Sequence, residues 1–78
     1  MHERKYNLNG LCDTLYELQR CVESFKPFNS NYESYAVLKE EVDALWDEVK
    51  KKTPDKGRIR SEAVKVAAVA LRIINDLT

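Results

Sequence analysis

Residues 59–77 read IRSEAVKVAAVALRIINDL. Apolar residues recur at Ile59, Ala63, Val66, Ala70, Ile73 and Leu77, in steps of three and four. That spacing is the seam of a helix packed against neighbours. Val64, Ala67, Ala68, Val69, Leu71 and Ile74 widen the seam, so that between Ala63 and Ile74 only Lys65 and Arg72 are polar. A helix apolar on most sides is buried on more than one of them. Two other helices of the same chain cover one broad face and leave Val64-Ala68-Leu71 over, with an alanine that permits close approach. The expectation is a homodimer or larger assembly through this third helix.

Two more seams precede it. Tyr35, Leu38, Val42, Leu45 and Val49, with Trp46 beside them, define a second helix. Ser30 and Glu33 have the spacing of a capping box, which makes Ser30 its N-cap. Lys50, Lys51 and Lys52 fall in its last turn, where cations suit the negative end of the helix dipole. Thr53-Pro54-Asp55-Lys56-Gly57 is a turn, with Thr53 a cap and Pro54 the first position of the third helix. Leu8, Leu11, Leu15, Leu18, Val22 and Phe25 define a first helix, weakened near its start by Gly10. Pro27 and Asn29-Ser30-Asn31 end it. The reading is an all-α, three-helix chain with helices over about 7–26, 31–52 and 54–77. They pack antiparallel within one domain spanning 1–78, and a homo-oligomer completes the helical bundle.

Size points the same way. At 78 residues the chain sits near the lower limit for unassisted folding, where disulfides, a metal or oligomerisation usually help. Cys12 and Cys21 are nine residues apart, about 13 Å and half a turn of rotation along one helix. They cannot bridge to each other there. His2 stands alone, so no zinc spacing exists. Oligomerisation remains. Free thiols and the lack of an apolar run long enough for a leader or a membrane span suggest a cytoplasmic protein. Thirteen basic and thirteen acidic residues cancel, which argues against broad nucleic-acid binding.

Chemistry has few places to sit. The two glycines are forty-seven positions apart, so there is no Gly-rich phosphate loop, and one terminal histidine leaves no catalytic triad. Carboxylates are the remaining resource. On a helical projection Glu41 and Glu48 share one flank of the second seam, and Glu62 occupies the equivalent flank of the third. Packing of the two helices brings the flanks together, which is how helical bundles build divalent-metal sites. The same positions also serve ordinary salt bridges beside a seam. Glu40, Asp43 and Asp47 point further away, with Lys39–Asp43 and Asp47–Lys51 as i,i+4 pairs. Lys50, Lys51, Lys52, Lys56, Arg58 and Arg60 crowd one turn, either to attract a phosphate chain or as a solvated helix end. Tyr6, Tyr16, Tyr32, Tyr35 and Trp46 are aromatic surfaces for a base, with Trp46 better placed for the core.

The run Leu38-Lys39-Glu40-Glu41-Val42-Asp43-Ala44-Leu45-Trp46-Asp47-Glu48-Val49, followed by Ser61-Glu62-Ala63-Val64-Lys65-Val66-Ala67-Ala68, resembles the MazG-like superfamily. These are all-α nucleoside triphosphate pyrophosphohydrolases, related to the dimeric all-α dUTPases. The resemblance covers about Tyr35 to Leu77 and rests on Glu-Glu, Leu45-Trp46, the gap and the Ala-rich third helix. It implies a Mg2+-dependent cleavage of a nucleoside triphosphate to monophosphate and pyrophosphate. On that pattern Glu41, Glu48 and Glu62 hold magnesium, and Glu40 and Glu41 are the catalytic acids. Lys52, Arg58 and Lys65 meet the phosphates. No further cofactor is implied, and the partners are a nucleoside triphosphate and the chain itself, without nucleic acid or membrane. Two positions depart. Ala44 stands where the family carries the last Glu of its first motif, and Lys65 where it carries Asp. Both remove a carboxylate, and Lys65 adds a cation where a divalent ion belongs. The competing expectation is a catalytically inactive, homo-oligomeric interaction module.

Overall fold

Local chemistry at the helix ends sets where each element starts and stops. The computed structural model describes residues 8–78, which form three helices and no strand. They are α1 (Leu8–Ser24), α2 (Asn31–Val49) and α3 (Lys56–Leu77). Position 7, the expected start of the first helix, and Tyr6 lie outside the described residues. Ser30 caps α2 as its spacing implies, its hydroxyl accepting from the Glu33 amide at 3.1 Å. Asp55, not Thr53, caps α3: its carboxyl accepts from the amides of Gly57 at 2.8 Å and Arg58 at 3.2 Å. An anion that takes two orphan amides at the positive end of a helix outcompetes a single hydroxyl. Thr53 and Pro54 therefore precede the helix. Lys50 closes the last turn of α2 through its amide to Trp46 O at 2.9 Å, and Lys51 and Lys52 lie beyond it.

α1 and α2 each pack on α3 and, among the described residues, not on each other. Contacts from α1 and the segment after it ascend along α3, from Asp13 with Arg60 at 2.5 Å to the Lys26 carbonyl with Arg72 at 3.3 Å. Contacts from the α2 side descend. The Phe28 amide, ahead of α2, donates to Asp76 at 3.2 Å, while Glu41 meets Glu62 a few turns earlier on α3. The space left between α1 and α2 is a cleft floored by α3.

The side of α3 turned inward is not the expected one. Ala68, Val69 and Arg72 are its buried residues, whereas Ala63, Ala70 and Ile74 are exposed. Ala68, expected to remain free for a second copy, is covered within the chain, with Val64 and Leu71 half-buried beside it. The reason is polar. The Arg72 guanidinium lies 3.9 Å from the Phe28 ring centroid and 5.7 Å from that of Phe25. It donates to the Lys26 carbonyl and stands 3.9 Å from Asp76, whose own carboxylate accepts from Phe28. A cation so enclosed gains on the order of 2 kcal/mol from an aromatic face, and leaving it unpaired costs more. These bonds rotate α3 until its polar stripe faces the chain.

The apolar seams consequently lie at the surface. Leu11, Leu15 and Val22 of α1 are about half exposed, as are Val42 and Val49 of α2. Trp46, expected in the core, is 59% exposed. Among the described residues, Phe28, Cys21, Ala68 and Val69 are the buried apolar ones, and none of the large side chains is fully enclosed. Cys12 and Cys21 are both free thiols. No helix among the described residues is long and apolar enough to cross a membrane.

Candidate functional site: a charged cleft over the third helix

The cleft has a volume of about 500 Å3, in the range of small-molecule sites. Lys65, Ala68, Val69 and Arg72 of α3 lie along its floor. Glu17, Arg20 and Cys21 form the α1 wall, Val37 and Glu41 belong to the α2 wall, and Phe25 and Phe28 stand at one end. The pattern is cationic side chains interleaved with carboxylates, beside an exposed aromatic ring at Phe25.

Each carboxylate has a different environment. Glu17 accepts from Arg20 at 2.6 Å and 3.2 Å, and those hydrogen bonds hold its carboxyl below the usual range despite some burial. Lys65 pulls it the same way, more weakly. Glu41 is shifted upward, first by burial and then by the facing charge of Glu62, with Lys65 offsetting part of the rise. Glu62 Oε1 is 3.3 Å from the Lys65 ammonium, and its Oε2 is buried with no hydrogen-bond partner. Glu41 thus faces Glu62 closely enough for each carboxyl to feel the other's charge.

The expected site residues are thus divided. Glu41 and Glu62 come together across α2 and α3. Glu48 lies on the same side of α2, but its two oxygens each sit 2.9 Å from the Lys51 ammonium. Asp47 correspondingly pairs with Lys50 at 3.2 Å, not with Lys51. Glu40 is exposed. Lys65 lines the cleft, whereas Lys52 and Arg58 are exposed and outside it. Lys39 and Asp43 do pair, at 2.8 Å.

The implied magnesium site can be tested on these contacts. Ala44 offers no oxygen, Glu48 is engaged by Lys51, and an ammonium already stands on Glu62. Among the described residues no three acids, histidines or cysteines are grouped to hold a metal ion. Magnesium favours near-octahedral oxygen ligation, and an ammonium in its place is the opposite of a ligand. The residues present do not fit the ion, so no chemical step is derived through it.

Arg20, Glu17 and Arg72 carry roles that the seam reading did not assign. The signal for Arg72 was present: Lys65 and Arg72 are seven residues apart and Asp76 four further on, so the polar residues of an apolar helix share one face. Nothing comparable marks Glu17 and Arg20, whose pairing is an ordinary i,i+3 contact until α3 brings Lys65 beside it.

Sought among protein-family models, curated proteins and solved structures, the chain finds no match.

Proposed function

We propose that this chain is a MazG-like helical protein that works as a homo-oligomer and binds a phosphate-bearing nucleotide in the cleft over α3. The observation that carries this reading is the cleft itself. Its volume suits a nucleotide, Arg20, Lys65 and Arg72 give it cationic walls and floor, and Phe25 presents a ring at its end. The Glu41–Glu62 meeting supports the resemblance at two of its acidic positions. On the α2 side, Phe28 ahead of the helix meets Asp76 and Glu41 meets Glu62 earlier on α3, an order consistent with antiparallel neighbours.

The self-association part rests on the surface. Apart from Phe25, none of the seam residues lines the cleft. On ideal helices each seam is turned roughly 100° from the face that touches α3 or is touched by it. The apolar side of each helix is therefore left for a second copy, now through the Ile59–Leu77 side of α3 in place of Val64-Ala68-Leu71. Contiguous exposed apolar surface of this kind marks interfaces.

That surface also favours a second reading, an interaction module with no nucleotide chemistry. One experiment separates them. A panel of nucleoside triphosphates is titrated calorimetrically with and without Mg2+, alongside an assay of pyrophosphate release. Binding that Arg20→Ala and Lys65→Gln weaken supports the nucleotide reading. Mg2+-dependent release abolished by Glu41→Gln and Glu62→Gln establishes pyrophosphohydrolysis despite Ala44 and Lys65. No binding by an intact oligomer leaves the interaction module.

A further inference from the structure

We infer that the ammonium of Lys65 is the counter-charge of the Glu41–Glu62 pair, standing where a divalent cation would otherwise be needed. Carboxyls from three helices lie within range of the charge of this one side chain. Glu62 of α3 is in contact at 3.3 Å, and Glu41 of α2 and Glu17 of α1 both feel its charge. Glu17 is already satisfied by two hydrogen bonds from Arg20, which leaves Lys65 to the pair. Glu62 is the more enclosed partner, its side chain 19% exposed against 43% for Lys65. Lys65 lines the cleft and Glu62 does not, so the lysine is the member of the pair that the cleft exposes.

Two carboxylates facing each other at partial burial stay together through a shared proton or a positive charge, and bundles commonly supply the charge as a metal ion. Here the charge is covalently attached. A metal ion entering the same set meets a cation on the carboxylates it would need, together with an alanine at position 44. The consequence for the cleft is that phosphate-bearing ligands are taken without metal, with Lys65 and Arg20 meeting the anion. That consequence rests on the nucleotide reading above; the counter-charge assignment does not.

The test uses MnCl2 alone as probe, followed by calorimetry and by the paramagnetic resonance signal of free Mn2+. The unaltered chain is expected to show no saturable binding below about 1 mM, because one free carboxylate pair is a weak site even without the lysine. Lys65→Asp exchanges the cation for a third carboxylate and is expected to bind roughly tenfold or more tightly, and Glu62→Gln in that background abolishes the gain. Lys65→Gln, which only removes the charge, keeps the test open should the aspartate variant not fold, and it is expected to gain a smaller but measurable affinity. Tight Mn2+ binding by the unaltered chain, lost in Glu62→Gln, overturns the inference, as does the absence of any gain in both Lys65 variants. A nucleotide titration in chelator then examines the cleft separately. Failure to bind there, with the manganese results as expected, removes the nucleotide reading and leaves the counter-charge in place.

Discussion

Placing a glutamate at Leu15 or at Trp46 is expected to dissociate the proposed homo-oligomer while leaving the protomer folded. Leu15 is 50% exposed and Trp46 59% exposed, on α1 and α2 respectively, so each leaves about half of its surface uncovered by its own chain. Finishing the burial of a half-exposed large apolar side chain yields about 1 kcal/mol, half of the ~2 kcal/mol for full transfer. Leu11, Leu15, Val22, Val42, Trp46 and Val49 together then supply on the order of 6 kcal/mol toward association. Ile74 and the half-buried residues of α3 add to this, against roughly 4–15 kcal/mol lost in rigid-body freedom. A glutamate at either position removes about 1 kcal/mol of that gain. It also leaves an unpaired charge in the interface, at roughly 3 kcal/mol more. The sum of about 4 kcal/mol is close to a thousandfold in Kd.

Sedimentation equilibrium over a wide concentration range reads this directly, with circular dichroism to confirm that the variants stay helical. Tyr32→Glu, at 89% exposure and off the seam, is the control and is expected to keep the oligomer. The melting temperature of the unaltered chain is expected to rise with protein concentration, and those of the seam variants to be flat. A unaltered chain that stays monomeric at millimolar concentration, or seam variants with its mass, refutes the argument.

Three further outcomes follow from single contacts. Asp55→Ala is expected to lower stability by about 1 kcal/mol in urea unfolding and Thr53→Ala to leave it unchanged, since only Asp55 accepts the first amides of α3; equal losses from the two contradict the cap assignment. Glu41 is held above the ordinary glutamate range by burial, then by Glu62, so the folded chain keeps its proton longer than the unfolded one. Stability from this group is full at acid pH and is lost as pH rises through the raised pKa. Glu41→Gln is therefore expected to raise the melting temperature at pH 7, change it little at pH 4 and flatten the slope between. Arg72→Met removes the cation and leaves Asp76, 8% exposed at its side chain, without its partner; a loss of about 3 kcal/mol is expected, with partial recovery in Arg72→Met/Asp76→Asn.

Much of the helical plan was legible because it depends on local signals. Steps of three and four placed all three helices, and Ser30 with Glu33 marked the start of α2. The cap of α3 was misplaced because Thr53-Pro54 is a good start by propensity, while Asp55 wins by charge and by taking two amides. The inner face of α3 was misread for a different reason. A seam shows which side is apolar, not which partner covers it. Lys65, Arg72 and Asp76 looked like interruptions of an apolar helix, yet they find their partners in Glu62, the Lys26 carbonyl and the Phe28 amide. Of the site, Glu41 with Glu62 was readable from shared flanks. The capture of Glu48 by Lys51 was not, because a lysine three residues away is always available and no spacing rule says when it is taken.

The division of α3 into a polar inner stripe and an apolar outer one has a structural logic in so small a chain. Apolar contact is nearly indifferent to register: a leucine seam slides by one turn and finds another leucine. Directional groups are not. Arg72 reaches the Lys26 carbonyl and the Asp76 carboxylate, and Asp76 accepts the Phe28 amide, so the segment between α1 and α2 has a single seat on α3. Asp13 with Arg60 sets the other end of α1 in the same way. The bonds within the chain thus select one arrangement of three helices while enclosing little apolar surface. The apolar seams, released from that task, remain available for a second copy. If this is right, removing the Arg72–Asp76 lock should loosen the order of the protomer more than it weakens the oligomer, and Leu15→Glu should do the reverse. Hydrogen exchange on the two variants distinguishes the effects: early exchange at the amides of Phe28 and α1 in the first, and protection there retained at subunit dissociation in the second.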